Sequence, residues 1–285
     1  LDIQTRGELV NGSFTGSATA GETLGLSGDF NASATKLTDI TQRLGQDVPY
    51  AAAIGTIDAK GRITGAGDDI AINDLTASLT GGQLNGEFTG RVTANTQGSY
   101  ELAGQMKADI PSIRALAKTT GTALPASTDM GAIYEAFTIS GAVTGTPANI
   151  TFNDAKIALD ALSGTGDFTA DMTGAKPHGK GKLSLAGLDL RPYMAAYAAQ
   201  NPTGAIQPWS TDALDLSMLN AVDATLNVTT PNIIMDRLEL GAANLDAVLK
   251  DGKQTSVFMS RPLGMERMDT QVGGLSIEVI EPMKS

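Results

Sequence analysis

The chain repeats its own residue pattern at a fixed interval of 80 positions, and this internal repeat constrains the fold more than any single motif does. Residues 61–89 match residues 141–169 without a gap, so that Phe88 meets Phe168. Further upstream, Phe14 meets Phe88 at an offset of 74. A unit of this length that recurs in tandem is typical of supersecondary blocks stacked along one axis. Because Phe14 already corresponds to the end of a block, we expect the chain to be part of a longer array.

The repeat divides the chain into consecutive segments. We predict a partial repeat block over residues 1–33, repeat blocks over 34–110 and 111–188, a C-terminal block over 189–253 and an atypical tail over 254–285. The tail is set apart because it loses the Gly- and Thr-rich composition of the blocks and because four of the ten methionines lie in it.

Composition favours a mainly β protein and excludes several functional classes. Only 5% of the residues are aromatic, while 33 of the 285 are glycine, which is typical of many short strands joined by tight turns. The formal net charge of −11 would repel a nucleic-acid backbone, so no nucleic-acid partner is expected. The chain has no cysteine, which excludes disulfides and thiolate metal sites.

Within one block, apolar residues alternate with polar ones, as in strands that have one dry face and one solvated face. Ile70 and Ile72 fall on one side, and the alternation resumes at Leu75 after two polar residues have shifted its phase. Those two residues, Asn73 and Asp74, predict a β-bulge or a tight turn. The same Asn-Asp pair recurs 80 positions later, which indicates that the bend is required in each block.

Three short helical patterns follow the strands of successive blocks. They cover residues 36–45, 109–121 and 188–200. In the second pattern, Ser112 is a start signal and Gly121 is the residue that ends the helix. We therefore expect short helices between blocks of strands.

Alternating residues later in the chain predict further strands. We expect one strand over residues 222–228 and a hairpin in which residues 238–240 pair with residues 245–249. The whole pattern predicts a mainly β fold, a repetitive antiparallel sheet with short helices between its blocks.

No combination of residues predicts catalysis. The single histidine, His178, lacks a neighbouring nucleophile and an orienting acid, and we expect it to be a solvated turn residue. Asp68 and Asp69 lie in a Gly-rich turn without the ligand spacing of a calcium loop, so we expect them to face water. The sequence therefore predicts no enzymatic activity, no catalytic residue, no metal site and no cofactor.

The recurring phenylalanines Phe14, Phe88 and Phe168 allow two interpretations. They can be core residues that hold one block against the next, or they can form the floor of a trough that accepts lipid. Each is followed by a segment with a recurring glycine, at Gly28, Gly104 and Gly181. The repeat alone does not decide between the two interpretations.

The C-terminal part of the chain resembles a known family. The sequence reads KLSLAGLDLRPY over residues 182–193, has a tryptophan at Trp209, and continues with ALDLSMLNAVDATLNVTTPNI over 213–233 and RLELGAANLDAVLKDGK over 237–253. This combination resembles the conserved C-terminal part of the AsmA family of Gram-negative envelope proteins. Earlier blocks share the looser glycine-rich texture of that family, and residues after 253 do not continue it.

The resemblance implies a fold, a location and a function. Members of the AsmA family project into the periplasm from one inner-membrane helix, and this anchor is absent from this chain. They look like relatives of lipid-transfer proteins whose β-sheets curl into a trough. It implies a curved, open or taco-like groove that moves phospholipid, or supports outer-membrane assembly, by contact with acyl chains.

The residues expected to line such a groove are the alternating apolar residues of the blocks. They are Phe14, Ile70, Ile72, Leu75, Leu79, Phe88, Ile150, Phe152, Ile157, Leu159 and Phe168. The rival interpretation is a structural or adhesive β-solenoid on the cell surface, which would have a filled interior and no ligand.

Overall fold

The computed structural model describes most of the chain. The described residues are 1–21, 24–43, 45, 53–119, 124–200, 223–250, 253–260, 271–272 and 275–276. They divide into two compact units, of which the first comprises Leu1–Ala123 with Glu135–Phe152 and the second Leu124–Tyr134 with Asn153–Ser285.

The first unit, called unit 1 below, consists of long strands with two short helices. In chain order the elements are β1 (Asp2–Arg6), β2 (Val10–Ala20), β3 (Leu24–Ala34), α1 (Leu37–Arg43), β4 (Thr56–Ala66), β5 (Asp69–Thr80), β6 (Asn85–Asn95), β7 (Tyr100–Ile110), α2 (Ile113–Thr119) and β8 (Phe137–Gly145). Strands β1 to β8 pair antiparallel in chain order, each with the next.

The second unit, called unit 2 below, continues the same strand pattern and adds two small sheets. Strand β9 (Asn149–Leu159) contributes residues to both units. The elements that follow are β10 (Leu162–Asp171), β11 (His178–Leu185), β12 (Leu188–Asp189), α3 (Arg191–Gln200), β13 (Asp223–Thr230), β14 (Ile233–Met235), β15 (Leu238–Leu240), β16 (Ala243–Lys250), β17 (Lys253–Ser260), β18 (Gln271–Val272) and β19 (Leu275–Ser276).

The predicted fold class is confirmed. The principal sheet has the order β1-β2-β3-β4-β5-β6-β7-β8-β9-β10-β11-β13-β16-β17, so its first and last strands are not neighbours. Helices α1, α2 and α3 lie inside the three ranges in which helical patterns were predicted. One pairing within this sheet departs from the antiparallel pattern, because β11 and β13 run parallel. A parallel pair needs a long crossover connection, and β12 and α3 lie within that connection.

The predicted bulge is present in β5. Residues Asn73 and Asp74 lie opposite the single residue Arg91, since Ile72 pairs with Val92 and Leu75 pairs with Gly90, one position later on β5 than an uninterrupted register requires. Asp74 adopts a φ of 52° and its repeat counterpart Asp154 a φ of 51°. The left-handed region is accessible to aspartate at modest cost, which explains why both blocks use this residue.

The helix start predicted at Ser112 is also confirmed. The Ser112 Oγ accepts a hydrogen bond of 3.2 Å from the backbone N–H of Ala115, as expected of an N-cap. The predicted end of that helix, Gly121, lies outside the described residues.

The predicted hairpin between residues 238–240 and 245–249 is wrong. Strand β15 pairs with β14 instead, and together with β12 they form a separate three-stranded sheet. The turn residue Asp236 has a φ of 48°, which suits a tight two-residue connection between β14 and β15. Strand β16 pairs with β13, the strand predicted over 222–228.

Candidate functional site

The sheet of unit 1 has one apolar face and one polar face. Cross-strand partners share a face, so the register assigns every strand position to one side. On one side of the sheet, Phe14 lies opposite Phe30 and Ile63 lies opposite Ile72. This side is called the apolar face of unit 1. Its larger side chains are Ile3, Val10, Phe14, Leu26, Phe30, Ile57, Ile63, Ile70, Ile72, Leu75, Leu79, Phe88, Val92, Tyr100, Leu102, Met106, Ile110, Phe137, Ile139 and Val143.

The opposite side carries the charges of unit 1. Arg62 and Asp29 form a cross-strand ion pair there, with 3.1 Å between Arg62 Nε and Asp29 Oδ1. The carboxylate raises the pKa of Arg62 through this hydrogen bond and through its charge. Both side chains are well exposed, so the pair adds little stability. The sheet therefore sorts polar from apolar side chains along its whole width in unit 1.

The apolar face remains accessible. Among the described residues, Ile70 is 43% exposed and Met106 38% exposed, and most other members of the face are half-buried. The buried hydrophobic residues of the described chain are few and mostly small: Ala53, Ile133, Val143, Ala155, Ala196, Ile233 and Ala243. Neighbours within one sheet layer give partial burial, whereas a second layer would bury such side chains fully.

Two glycine pairs bend this face inward. Gly90 lies opposite Gly104 on the apolar face, and a Cβ added to Gly90 would lie only 2.6 Å from the Gly104 Cα. The Gly16–Gly28 pair is similar, because a Cβ on Gly28 would lie 2.7 Å from the Gly16 Cα. In a flat antiparallel pair these atoms would be well separated. The strands therefore fold towards the apolar side at both pairs, and that side is locally concave.

The repeated phenylalanines lie in these bends. The Phe14 ring lies beside Gly28, since its Cζ would be 2.5 Å from a Cβ at that position. The Phe88 ring lies beside Gly90 and Gly104 in the same way, with 2.9 Å to a Cβ on either glycine. Each ring thus covers glycine backbone that would otherwise be bare. The recurring phenylalanine and the recurring glycine of the sequence are in contact.

Unit 2 contains a third copy of this arrangement. Phe168 lies directly opposite Gly181, and a Cβ added to Gly181 would lie 2.7 Å from Phe168 Cδ1 and 3.0 Å from Leu226 Cδ1. The face shared by these residues, called the apolar face of unit 2, also contains Leu183, Leu185, Val228, Leu245 and Leu249.

Most of the predicted groove residues lie on these two faces. In unit 1 they are Phe14, Ile70, Ile72, Leu75, Leu79, Phe88 and Ile150, with Phe152 two positions further along β9. Ile150 belongs to the face because a Cβ added to Gly145 would lie 3.2 Å from Leu102 Cγ and 3.5 Å from Ile150 Cγ1. In unit 2, Phe168 lies on the apolar face. Ile157 and Leu159 are half-buried residues at the end of β9, before the two-residue turn into β10.

Sequence reasoning missed several members of the apolar face in unit 1. Phe30, Leu102 and Met106 lie there, and so does Val143, the repeat counterpart of Ile63. The signal that identifies them is the same alternation, read in β3, β7 and β8.

A depression of about 590 Å³ opens at one end of the strands in unit 1. Its lining includes Leu26, Ile70 and Tyr100 from the apolar face. It also includes Asp69 and Glu101, which lie at the ends of β5 and β7 and on the opposite side of the sheet by register. A second depression of about 620 Å³ lies at the β5 bulge, lined mainly by polar residues such as Asn73, Asp74 and Arg91.

A polar cluster in unit 2 fastens the segment 124–134 to α3. The Asp160 Oδ2 accepts hydrogen bonds from the Tyr134 backbone N–H at 2.7 Å and from the Tyr193 hydroxyl at 3.0 Å. The hydroxyls of Tyr134 and Tyr197 are 3.2 Å apart, and the rings of Tyr134 and Tyr193 meet edge to face. Burial, followed by the hydrogen bond with Tyr197, raises the pKa of Tyr134 to about 12. Burial and the bond to Asp160 raise the pKa of Tyr193 as well.

The expectation that His178 is a solvated turn residue is wrong. It is the half-buried first residue of β11, and its register partners are Asp171 on β10 and Asp223 on β13. The residue belongs to the strand because the pairings of β11 with β10 and with β13 both extend to this position. Asp68 lies in a turn and is exposed, as expected, and exposed Asp69 begins β5.

The described residues offer no group of three or more carboxylate or imidazole side chains arranged to hold a metal ion. None of the helices in the described part of the chain is both long and apolar enough to cross a membrane.

Comparison with known proteins matches the end of the chain only. A family of unknown function, DUF8625, matches residues 227–285. No curated protein and no solved structure matches the chain. The matched range begins within β13 and crosses the predicted boundary at residue 253, where β17 begins and pairs with β16 along its whole length.

Proposed function

We propose that this chain is a segment of a periplasmic AsmA-like protein whose apolar faces bind phospholipid acyl chains, for lipid transfer or for assembly of the outer membrane. The observation that carries the proposal is the uncovered apolar face of unit 1, which extends across its strands without a charged residue at any described position. Soluble proteins rarely leave a large contiguous apolar surface exposed unless it binds something.

The chemistry of the face suits an acyl chain better than a compact ligand. Burial of each methylene contributes about 0.8 kcal/mol, without any directional bond. A ligand held in this way needs a continuous dry surface rather than a set of placed polar groups. The side chains at the centre of the face are aliphatic, glycine or phenylalanine, and none of them could fix the orientation of a polar ligand.

The concave bends support a groove. At Gly90 and Gly104 the strands fold towards the apolar side, which increases the contact that a flexible chain can make with both strands. The phenylalanine that covers each glycine pair supplies a flat surface at the deepest point. Both earlier interpretations of these residues therefore apply in part, since each ring packs on the sheet and still borders the open face.

The location, the inner-membrane anchor and the role in outer-membrane homeostasis come from the resemblance to the AsmA family. In this proposal the protein acts without catalytic residues or cofactors, as a passive path for lipid. The rival function, a structural or adhesive solenoid, requires a filled interior. The antiparallel order of the strands and the small number of buried side chains in the described part of the chain favour the groove over such a coil.

Lipid analysis of protein purified from a Gram-negative membrane background tests the proposal. We expect native mass spectrometry and lipid extraction to detect bound phospholipid. The double variant Phe88→Asp/Phe168→Asp, which introduces charge on both apolar faces, should lose most of that lipid.

The matched control is Thr89→Asp/Thr169→Asp. Each threonine adjoins one of the phenylalanines in sequence and lies on the opposite side of its strand. The control therefore adds the same charge and should keep its lipid, with circular dichroism verifying the fold of both variants. Wild-type protein that is consistently free of lipid would contradict the proposal and favour the rival function.

A further inference from the structure

Two tyrosine hydroxyls meet in unit 2, away from the apolar faces of the sheet. The hydroxyl oxygens of Tyr134 and Tyr197 are 3.2 Å apart, although 63 positions separate the two residues in the chain. The ring carbons ortho to a hydroxyl lie two bonds from its oxygen, so a small rotation of one side chain brings ortho carbons of the two rings together. These are the carbons through which two tyrosines become covalently joined when both are oxidised.

Tyr134 is held firmly on its side of the contact. Its backbone has a φ of 58°, a conformation that is uncommon for a bulky residue and persists only where the surrounding structure stabilises it. The Asp160 carboxylate stabilises it by accepting a hydrogen bond of 2.7 Å from the Tyr134 N–H. The Tyr193 ring packs edge to face on the Tyr134 ring, with 5.7 Å between the centroids. These contacts fix the Tyr134 hydroxyl beside α3.

Tyr197 is the accessible member of the pair. It is 48% exposed, whereas Tyr134 is half-buried, so an oxidant in solution reaches Tyr197 first. The contact between the hydroxyls then allows Tyr134 to pass a hydrogen atom to the Tyr197 phenoxyl radical. This exchange oxidises the half-buried ring without exposing it, and leaves Tyr197 free to be oxidised again.

The reaction needs a one-electron oxidant, such as a haem peroxidase supplied with hydrogen peroxide. Each tyrosine loses one electron and one proton and becomes a phenoxyl radical. The two radicals combine through a carbon–carbon bond between ortho carbons, and the proton on each joined carbon moves to the oxygen of the same ring, which restores both phenols. In total the pair loses two electrons and two protons, and one hydrogen peroxide takes them up to form two water molecules.

We propose that Tyr134 and Tyr197 are an oxidative modification site, at which oxidation of the peroxidase type joins the two rings as dityrosine. The link fastens the segment 124–134 to α3. A covalent link between residues far apart in sequence restricts the unfolded chain and thereby stabilises the folded one, as a disulfide does. Because the chain contains no cysteine, a disulfide cannot provide such a link here.

Tyr193 also lies near Tyr134, but its hydroxyl is placed differently. It donates a hydrogen bond of 3.0 Å to the Asp160 Oδ2, and the residue is half-buried. An oxidant in solution therefore reaches Tyr193 less readily than Tyr197, and the Tyr193 hydroxyl is bonded to a carboxylate rather than to a second phenol. The geometry predicts a link to Tyr197 and not to Tyr193.

Oxidation of the purified protein at low concentration tests the proposal. The protein is treated with a haem peroxidase and hydrogen peroxide, its dityrosine fluorescence is recorded, and mass spectrometry identifies joined peptides that have lost two hydrogen atoms. We expect a Tyr134–Tyr197 link within one chain, and about tenfold more dityrosine in the wild type than in Tyr197→Phe, because the two rings are already in contact. The same treatment in concentrated urea, which separates the rings, should abolish the link.

The matched controls each remove one hydroxyl from another tyrosine. Tyr193→Phe keeps the ring that packs on Tyr134, and Tyr100→Phe lies in unit 1, so both should form the link at the wild-type yield. Circular dichroism verifies the fold of every variant. Equal dityrosine yields in the wild type and Tyr197→Phe would overturn the proposal, as would a link that maps to Tyr193, to Tyr100 or to a second chain. These outcomes leave the proposed lipid binding untouched, because it depends on other residues.

Discussion

At the scale of single residues, the unusual feature is the combination of a glycine pair with a phenylalanine. Gly90 and Gly104 allow the β6 and β7 backbones to approach on the apolar side, and the Phe88 ring covers the surface that two missing side chains leave bare. Glycine within a strand weakens the strand, because it loses more conformational freedom on folding and has no side chain to pack. Its recurrence at equivalent positions is explained by the close approach of the strands.

Replacing one glycine of a pair should therefore be costly, whereas a nearby glycine should tolerate the same change. A Cβ on Gly90 meets backbone atoms that cannot move aside, so we expect Gly90→Ala to lower the free energy of unfolding by about 1–3 kcal/mol. Gly86, on the same strand and face, has its nearest neighbours at 3.3 Å and 3.7 Å, so Gly86→Ala should cost clearly less. Urea unfolding of both variants measures the difference, and equal losses would argue against a bend at Gly90.

At the scale of elements, α3 depends on a segment far away in sequence. Gly131 approaches Pro192 so closely that a Cβ at Gly131 would lie 3.2 Å from Pro192 Cγ. Tyr134, three positions later, joins α3 through its contacts with Tyr193 and Tyr197, while Ile133 is fully buried. The segment and the helix are held together by one apolar contact region and one carboxylate, Asp160, from the β9–β10 turn.

This arrangement predicts loss of stability in alkaline solution. The pKa of Tyr134 is raised to about 12 and that of Tyr193 is also raised, mainly by burial, whereas an unfolded tyrosine titrates near 10. Above pH ~10 the unfolded chain releases these protons while the folded chain retains them, so stability is constant below that pH and falls as the pH rises towards about 12.

Urea midpoints measured at intervals between pH 8 and pH 11.5 would detect this fall. The variant Tyr134→Phe/Tyr193→Phe should be less stable at neutral pH, because it loses the hydrogen bonds that the two hydroxyls make with Tyr197 and Asp160. Its stability should nevertheless decline less steeply as the pH rises. The control is Tyr100→Phe in unit 1, which should keep the steep decline of the wild type. A decline of the same steepness in the double variant would mean that these tyrosines do not cause it.

At the scale of the whole molecule, each of the two units has an apolar face and a polar face, and few side chains of the described residues are fully buried. The largest fully buried side chain among the described residues is Ile133. A ligand that covers an apolar face would supply burial that the protein itself lacks, and would stabilise the folded state by mass action. Under the proposed function, binding and stability are therefore linked.

The strength of binding should increase steadily with acyl-chain length. For lysophospholipid monomers of one headgroup and increasing chain length, we expect the affinity to rise about two- to fourfold per methylene, the larger value corresponding to full burial. Isothermal titration calorimetry measures this affinity directly. The lysophospholipid concentration is kept below that at which micelles form. An affinity that stops rising after a few methylenes would instead indicate a small closed pocket.

Much of the local structure follows from the sequence alone. The offset of 80 residues, the alternation in each strand, the bulge at Asn73 and Asp74 and the start of α2 at Ser112 are encoded by neighbouring residues, because they depend on period, propensity and turn chemistry. The set of apolar residues that could line a groove follows from the same alternation, which assigns them to one side of each strand.

Only the tertiary structure decided which of these elements meet. The contacts of Phe88 with Gly104, of β15 with β14 rather than β16, and of Tyr134 with α3 each join residues whose pairing no local pattern specifies. The bend that makes the apolar side concave likewise arises from two backbones at close approach. Strand alternation is a property of one segment, whereas register, bending and long-range docking depend on the balance of packing and entropy over the whole chain.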